Sequence, residues 1–317
     1  DYYHQSLYII WNIGTSDYPV MDIFNVTDMY PENDPIITAG QNMPGFVDLD
    51  GDNDADLVIS VLSGAFGSQL VNNLFYYENT GDSTSPEYLF ISSNFLGSID
   101  FYTDAAPELA DIDSDGDLDL FIGNGFDPSS FPWTGRIHFF RNIGSADQPE
   151  FTEEDSQFSG SQMGNNLNPE FSDIDADSDL DLFVGNANGF IHFFRNTGNS
   201  TEYNFVYEAQ LEHIDLTGHA APEFSDIDND GDLDLICGET SGNITLSVNS
   251  GTNEVFQFEP PIELQPQIMV ESRSSPFLLD SDGDGDDDLF IGSEYNGIHF
   301  FRNTGSTAEY FFEQDTT

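Results

Sequence analysis

The sequence predicts an all-β protein assembled from repeats of one four-stranded unit, and three observations predict it. A nine-residue acidic loop occurs five times, at spacings of 63, 62, 53 and 54 residues. An aromatic, strand-like segment ending in Asn-x-Gly alternates with that loop. Between the two lie apolar runs of four to eight residues bounded by turn residues, a length that suits strands rather than helices.

The acidic loop places an Asp at every second position. Its copies carry Asp48, Asp50, Asp52, Asp54 and Asp56; Asp111, Asp113, Asp115, Asp117 and Asp119; and Asp173, Asp175, Asp177, Asp179 and Asp181. Two more carry Asp226, Asp228, Asp230, Asp232 and Asp234, then Asp280, Asp282, Asp284, Asp286 and Asp288. Carboxylates packed this closely repel, by about 4 kcal/mol for one pair ~4 Å apart at an effective dielectric near 20. A bound cation reverses the sign. Oxygen-only ligands on a flexible loop select a hard ion, and Ca²⁺ over the stricter octahedron of Mg²⁺. One Ca²⁺ per loop, about five in all, is the expectation.

The first six positions match an EF-hand loop, but an EF-hand also needs a Glu at position 12 and a following helix. Position 12 is Ile59, Ile122, Val184, Cys237 or Ile291, inside a strand-like run. The loop closes instead at position 9 and feeds a strand. This D-x-D-x-D-G-x-x-D pattern resembles the FG-GAP/VCBS repeat of integrin α-subunit-like propellers. The resemblance implies a β-propeller with the loop joining the first two strands of a blade. It further implies side-chain ligands at positions 1, 3, 5 and 9 and a carbonyl at 7, so that the Asp side chain at 7 would be second to the ion or face solvent. Position 6 wants a residue tolerant of positive φ. Gly116, Gly231 and Gly285 supply one and Asn53 tolerates it, whereas Ser178 makes the third loop the expected weakest site.

The aromatic segment runs Ile137-His138-Phe139-Phe140-Arg141-Asn142-Ile143-Gly144 and recurs at 191–198 and 298–305, with looser copies at 7–14, 74–81 and 244–251. A short outer strand should follow, as at Pro149-Glu150-Phe151 or Tyr310-Phe311-Phe312. Four strands at this period read as propeller blades, at 42–92, 105–156, 167–210, 220–263 and 274–315. Residues 1–27 read as a half-blade, its strands at Leu7–Asn12 and Met21–Asn25. All of 1–317 is expected to form one propeller domain belonging to a longer polypeptide, the first blade being completed by residues outside this chain, by another subunit or by a rearranged C-terminus.

Blades pack on both faces, which accounts for strands as continuously apolar as Leu120-Phe121-Ile122. His138, His192 and His299 share a repeat position with Tyr8, Phe75 and Thr245, an exchange that metal or catalytic chemistry would not tolerate; packing or hydrogen bonding is their expected role. Arg141, Arg195 and Arg302 are expected to bridge blades to carboxylates.

The chain holds 59 acidic residues against 5 basic ones, a net charge of −54, and the five loops contain 26 of those acids. So acidic a surface disfavours nucleic acid and anionic membranes. Aromatic content of 14% argues against disorder. Cys237, the lone cysteine, lies in an apolar run and reads as a buried thiol. No run of 18 apolar residues occurs, so no membrane insertion is expected. Low-affinity calcium loops place the protein outside the cell, secreted or at the surface.

No Ser-His-Asp, Cys-His or nucleotide-binding pattern appears, and the repeat assigns most carboxylates to the loops, so a catalytic role is not expected. Adhesion, protein–protein interaction or extracellular assembly is the leading reading, with a protein or glycan partner at the cell surface and a homo-oligomer or filament as one form of assembly. A lectin-like module is the alternative, because Phe126, Phe131, Trp133 and Tyr295 on the loops away from the Asp loops would suit stacking on a sugar. A propeller enzyme such as a polysaccharide lyase comes third.

Overall fold

The computed structural model describes residues 5–6, 37–38, 42–50, 52, 54–61, 74–81, 86–92, 96, 101, 105–127, 133–145, 149–154, 158, 163–211, 213–214, 216–252, 254–281, 284–293, 297–306 and 309–314. Every regular element among them is a strand. β1 (Gln5–Ser6) pairs with β2 (Ile37–Thr38), and the other strands form five antiparallel sheets of four, the blades of a β-propeller. The expected half-blade strands Leu7–Asn12 and Met21–Asn25 lie outside the described residues.

Each blade is a meander in which sequence neighbours are sheet neighbours. The first runs β3 (Asn42–Val47), β4 (Asp56–Val61), β5 (Leu74–Asn79), β6 (Tyr88–Ser92), and the second β7 (Ala106–Ala110), β8 (Asp119–Gly123), β9 (Ile137–Asn142), β10 (Phe151–Glu154). The third is β11 (Asn168–Ser172), β12 (Asp181–Gly185), β13 (Ile191–Asn196), β14 (Phe205–Gln210). The fourth is β15 (Ala221–Ser225), β16 (Asp234–Gly238), β17 (Ile244–Ser247), β18 (Ile262–Glu263), and the fifth β19 (Ser275–Leu279), β20 (Asp288–Ser293), β21 (Gly297–Asn303), β22 (Phe312–Gln314).

The Asp loop thus joins the first and second strands of every blade. Second strands β8, β12 and β16 are buried at every residue, as their unbroken apolar sequences require. Outer strands start later than the sequence suggests. Pro149 and Glu150 precede β10, and Tyr310 and Phe311 precede β22, because the Asn-x-Gly turn uses the backbone N–H of Glu150 and of Phe311.

The chain packs into two compact units. One contains the first two blades with 163–171 and 195–207; the other contains 172–194 and the described chain from 208 onward. In the first, Phe121 stacks on Phe139 at 4.6 Å and meets Phe171 at 4.5 Å, while Leu49, Val58, Leu74, Phe101, Leu120 and Ile122 form a second apolar layer. In the other, Phe183 repeats that role against Phe193 at 4.7 Å and Phe224 at 4.5 Å. The fourth and fifth blades fill theirs with aliphatic groups, among them Ile227, Ile236, Leu246, Leu289 and Ile291. Cys237 is buried beside Leu235, as expected of a structural thiol.

The glycine that ends each fully buried second strand is required by close approach. A Cβ at Gly123, Gly185 or Gly238 would lie 2.1–2.2 Å from the carbonyl oxygen of Leu167, Ala220 or Ser274 respectively. Those residues lead into the next blade's first strand, and their N–H groups donate to the carbonyls of Asn124, Asn186 and Glu239 at 2.9–3.2 Å.

Candidate metal centres

The Asp loop is wound on its first carboxylate. Oδ1 of Asp111, Asp173 and Asp226 accepts the N–H of the fifth residue at 3.0–3.2 Å. Oδ2 of these residues and of Asp280 accepts the N–H of the sixth at 3.0–3.2 Å. The fifth carboxylate then accepts the N–H of the seventh residue in all five copies, at 3.1–3.2 Å.

Such winding needs two left-handed residues. Position 6 is one: φ is +93° at Gly116, +97° at Gly231, +91° at Gly285 and +72° at Ser178. Position 4 is the other, which pattern reading missed: Ser114, Ala176 and Asn229 lie at +52°, +55° and +54°. The third loop alone among the described ones places a poorly suited side chain at both, Ala176 and Ser178.

The winding brings carboxylates together. One oxygen from each of Asp48, Asp50 and Asp52 lies within 4.8 Å of the others, and so do those of Asp111, Asp113 and Asp115, of Asp173, Asp175 and Asp177, and of Asp226, Asp228 and Asp230. In the fifth loop Asp282 lies outside the described residues, while Asp280, Asp284, Asp286 and Asp288 follow the same turn pattern.

Of the two places expected for the position-7 side chain, second to the ion or facing solvent, the structure removes the second. Asp54, Asp117, Asp179 and Asp232 do not face solvent; they are buried, at 6–9% exposure, and Oδ1 of Asp54, Asp179 and Asp232 has no hydrogen-bond partner. The backbone turn onto the fifth carboxylate folds this side chain back over the loop. Position 5 is instead the exposed one, at Asp52, Asp115, Asp177, Asp230 and Asp284.

Position 9 anchors the loop. Asp56, Asp119, Asp181, Asp234 and Asp288 are at most 1% exposed. Oδ1 of Asp56, Asp119, Asp234 and Asp288 accepts the N–H of Asn79, Asn142, Asn249 and Asn303, each at 2.7 Å. In Asp119 and Asp234 the buried Oδ2 has no hydrogen-bond partner. In Asp56 it accepts from Leu49 N–H and the Tyr76 hydroxyl, both at 3.1 Å, and in Asp288 from the Ser281 hydroxyl.

Buried carboxylate oxygens without partners, beside three converging carboxylates, are costly unless a cation completes the site. The cost is visible in proton affinity. Burial, with the neighbouring loop carboxylates adding to it, raises Asp117 and Asp179 to about 6 and Asp119 and Asp234 to about 7. The donor set is all oxygen and suits a hard divalent ion.

The Arg141 guanidinium meets a carboxylate, that of Asp113 in the loop of its own blade, and Arg302 lies over Phe300 of its own strand, 5.5 Å from the ring centroid. The histidines are packing groups with hydrogen bonds. His138 is 7% exposed, with Glu153 at 3.2 Å on Nδ1, Asn124 at 3.4 Å on Nε2 and the Phe101 ring at 5.2 Å; His192 meets Asn186 at 3.3 Å.

The repeated asparagine does more than mark a turn. Oδ1 of Asn79, Asn142, Asn196, Asn249 and Asn303 accepts two backbone N–H groups, two and eight residues ahead, at 2.8–3.2 Å. The N–H of Asn79, Asn142, Asn249 and Asn303 in turn reaches the ninth Asp, so these four candidate sites are tied to the far end of their blade's third strand. Of the aromatic loop residues, Trp133 is 64% exposed and stacks on Phe126 at 6.1 Å; Phe131 and Tyr295 lie outside the described residues.

No helix among the described residues is long and apolar enough to cross a membrane. No curated protein matches the chain. Among solved structures, a chain of a Tc holotoxin pore of Photorhabdus luminescens is 14% identical and aligns over 92% of this chain and 12% of its own, with a TM-score of 0.45. A chain in the crystal structure of TcdB2-TccC3 is 13% identical over 93% of this chain and 17% of its own, with a TM-score of 0.33. The chain therefore spans less than a fifth of the length of each of these two chains. FG-GAP-like repeats match residues 48–122, 173–237 and 226–291, more than half of the chain, and the chain belongs to that repeat family.

Proposed function

We propose that the protein is an extracellular, calcium-loaded β-propeller that serves as a non-catalytic scaffold for adhesion or protein–protein assembly. The observation that carries this is the repeated convergence of three Asp carboxylates within 4.8 Å, next to buried carboxylate oxygens without hydrogen-bond partners. Each loop would hold one Ca²⁺ through its first, third, fifth and ninth aspartates. Sites of this kind reach useful occupancy at the millimolar calcium found outside cells. Five divalent ions would bring the formal charge from −54 to −44, leaving a strongly acidic surface that favours basic protein partners.

The test is adhesion to immobilised protein, together with melting curves, in Ca²⁺, Mg²⁺ and EGTA. A site at ~100 times its dissociation constant adds roughly 2.7 kcal/mol, so EGTA should lower the melting temperature sharply and only Ca²⁺ should restore it. Identical curves in all three conditions would remove the calcium reading, and adhesion unaffected by EGTA would separate partner binding from the loops.

The Phe126–Trp133 pair favours a second reading, a lectin-like module. An exposed ring held by a stacked neighbour offers a flat face for a sugar at low entropic cost. A glycan array probed with wild type and Trp133→Ala distinguishes the two readings: loss of a discrete sugar signal in the variant would establish the lectin.

A further inference from the structure

The Asp loops share a turn pattern, but what the chain places against their carboxylates differs from blade to blade. In the first loop the ninth carboxylate is already in use. Oδ2 of Asp56 accepts the Leu49 N–H and the Tyr76 hydroxyl, both at 3.1 Å, which fills both lone-pair directions of that oxygen. In the second loop the third carboxylate is taken, because the Arg141 guanidinium pairs with Asp113. A fixed positive charge there shares the ligand and repels an incoming cation. In the fifth loop the Ser281 hydroxyl donates to Oδ2 of Asp288. The third loop instead carries left-handed strain at Ala176 and Ser178.

The fourth loop has none of these. Leu246 stands at the repeat position of Tyr76, Val248 at that of Arg141 and Ile227 at that of Ser281, so an apolar side chain replaces each donor. The Ile227 N–H comes near enough to Asp234 to offset part of its burial, yet Oδ2 of Asp234 has no hydrogen-bond partner. Oδ1 of Asp228 and of Asp232 are buried without partners too, and Asp232 and Asp234 are 8% and 1% exposed. Such oxygens remain in the first loop, at Asp50 and Asp54, and in the second at Asp119, but they are fewer and each loop has its competitor. Both left-handed positions of the fourth loop are filled by residues that tolerate them, Asn229 at +54° and Gly231 at +97°.

We infer that the fourth loop is the high-affinity site, occupied by Ca²⁺ at concentrations that leave the first, second and fifth loops empty, and that Tyr76, Arg141 and Ser281 set those three apart. A buried carboxylate oxygen without a partner gains most from an ion. One that already accepts a hydrogen bond must give up a donor to take it. The fourth blade thus retains its ion well below the millimolar range, while the first, second and fifth exchange theirs within it. Changes in external calcium are then read by particular blades rather than by the whole chain. This inference rests on the calcium reading above and deepens it, by assigning regulation to individual loops.

The experiment titrates the full, metal-stripped chain with Ca²⁺ by calorimetry and follows amide hydrogen exchange at each addition. One site is expected to bind at least tenfold tighter than the rest, and one equivalent of Ca²⁺ is expected to slow exchange over 226–234 before the other loops respond. Asp234→Asn should remove the tight step, and Asp119→Asn should leave it in place. Tyr76→Phe and Arg141→Met each delete a competitor and should tighten one further site at least tenfold; Ser281→Ala, at a partly exposed position, repeats the test in the fifth loop. Equal affinity at all sites, or a tight step lost in Asp119→Asn but kept in Asp234→Asn, would overturn the inference and leave the calcium reading standing. Weaker binding in Tyr76→Phe, Arg141→Met and Ser281→Ala would make these groups orienting partners of the ligands, which also overturns it. No binding at any loop would remove the calcium reading and the inference with it. A tight fourth site in a protein whose adhesion ignores EGTA would sink the adhesion reading alone.

Discussion

The backbone N–H of Asn142 donates to Oδ1 of Asp119 at 2.7 Å, and that carboxylate is 1% exposed. One oxygen of Asp119 therefore serves the fold, while its buried partner oxygen has no hydrogen-bond partner and is the one the proposed ion would take. Asp119→Asn separates the two duties, because an amide oxygen still accepts from Asn142 but carries no charge. The cation-free variant should be more stable than cation-free wild type, by about 1–3 kcal/mol, since a buried unpaired charge is removed. Its gain on adding Ca²⁺ should be smaller. Melting curves of both proteins in EGTA and in Ca²⁺ check this, and a variant less stable in both would show that the charge itself holds the apo fold.

Asn142→Ala tests the other end of the same link. The side chain supplies the acceptor for Gly144 N–H at 3.1 Å and Glu150 N–H at 3.0 Å. Losing it leaves two backbone donors at a turn and should cost about 1–3 kcal/mol. Urea denaturation should show a lower midpoint with an unchanged slope.

Two glycines on the same blade should respond differently. A Cβ at Gly123 would lie 2.2 Å from Leu167 O and 3.0 Å from the Pro169 ring, neither of which can swing away, so Gly123→Ala should cost about 3 kcal/mol or prevent folding. At Gly116 no atom lies within 4 Å of the added Cβ, and only the φ of +93° opposes substitution. Gly116→Ala should cost about 1–2 kcal/mol. Comparable losses in thermal melts of the two variants would contradict the packing argument.

The third loop is expected to bind its ion most weakly. Ala176 and Ser178 sit at φ of +55° and +72°, and glycine would relieve each. Part of the relief returns as extra freedom in the unfolded chain, so Ala176→Gly and Ser178→Gly should each stabilise by about 0.5–1 kcal/mol. Calorimetric titration with Ca²⁺ should show one class of sites tightening in the double variant and the rest unchanged.

Much of this architecture was legible in the sequence, for identifiable reasons. The five loops and the aromatic segments repeat in register, so the four-stranded blade and the converging Asp48, Asp50 and Asp52 type of cluster followed from spacing. Strand β8 was legible because burial on both faces forces the unbroken run Leu120-Phe121-Ile122. What stayed hidden was backbone-directed. The repeat pattern sets Asp117 apart from Asp115 but leaves it two places, second to the ion or facing solvent; only the backbone turn decides, burying Asp117 and exposing Asp115. The left-handed residue at position 4 was obscured because Ser114 and Ala176 give no composition signal for it. Asn142 was visible as a turn residue, but one of its two side-chain hydrogen bonds reaches eight residues ahead, beyond any local pattern. For Arg141 the sequence says that a carboxylate is its partner but not which of 59, and the structure supplies Asp113.

Stability should depend on pH in opposite senses with and without the ion. In the cation-free chain, burial and neighbouring carboxylates raise Asp117 and Asp179 to about 6 and Asp119 and Asp234 to about 7, against 3.8 for an ordinary Asp. Between those values the folded chain binds more protons than the unfolded one. Stability then falls as pH rises, because the slope follows the difference in bound protons, unfolded minus folded. The apo melting temperature should therefore be higher at pH 5 than at pH 7.5, with the change concentrated between about pH 4 and pH 7. When Ca²⁺ is bound the same oxygens must be deprotonated, so lowering the pH releases the ion and removes its contribution. The loaded protein should be more stable at pH 7.5 than at pH 5. Melting curves across that range in EGTA and in millimolar Ca²⁺ should cross. Parallel curves would mean that the buried carboxylates do not titrate as a group with the ion, and would remove the loops as the source of the pH dependence.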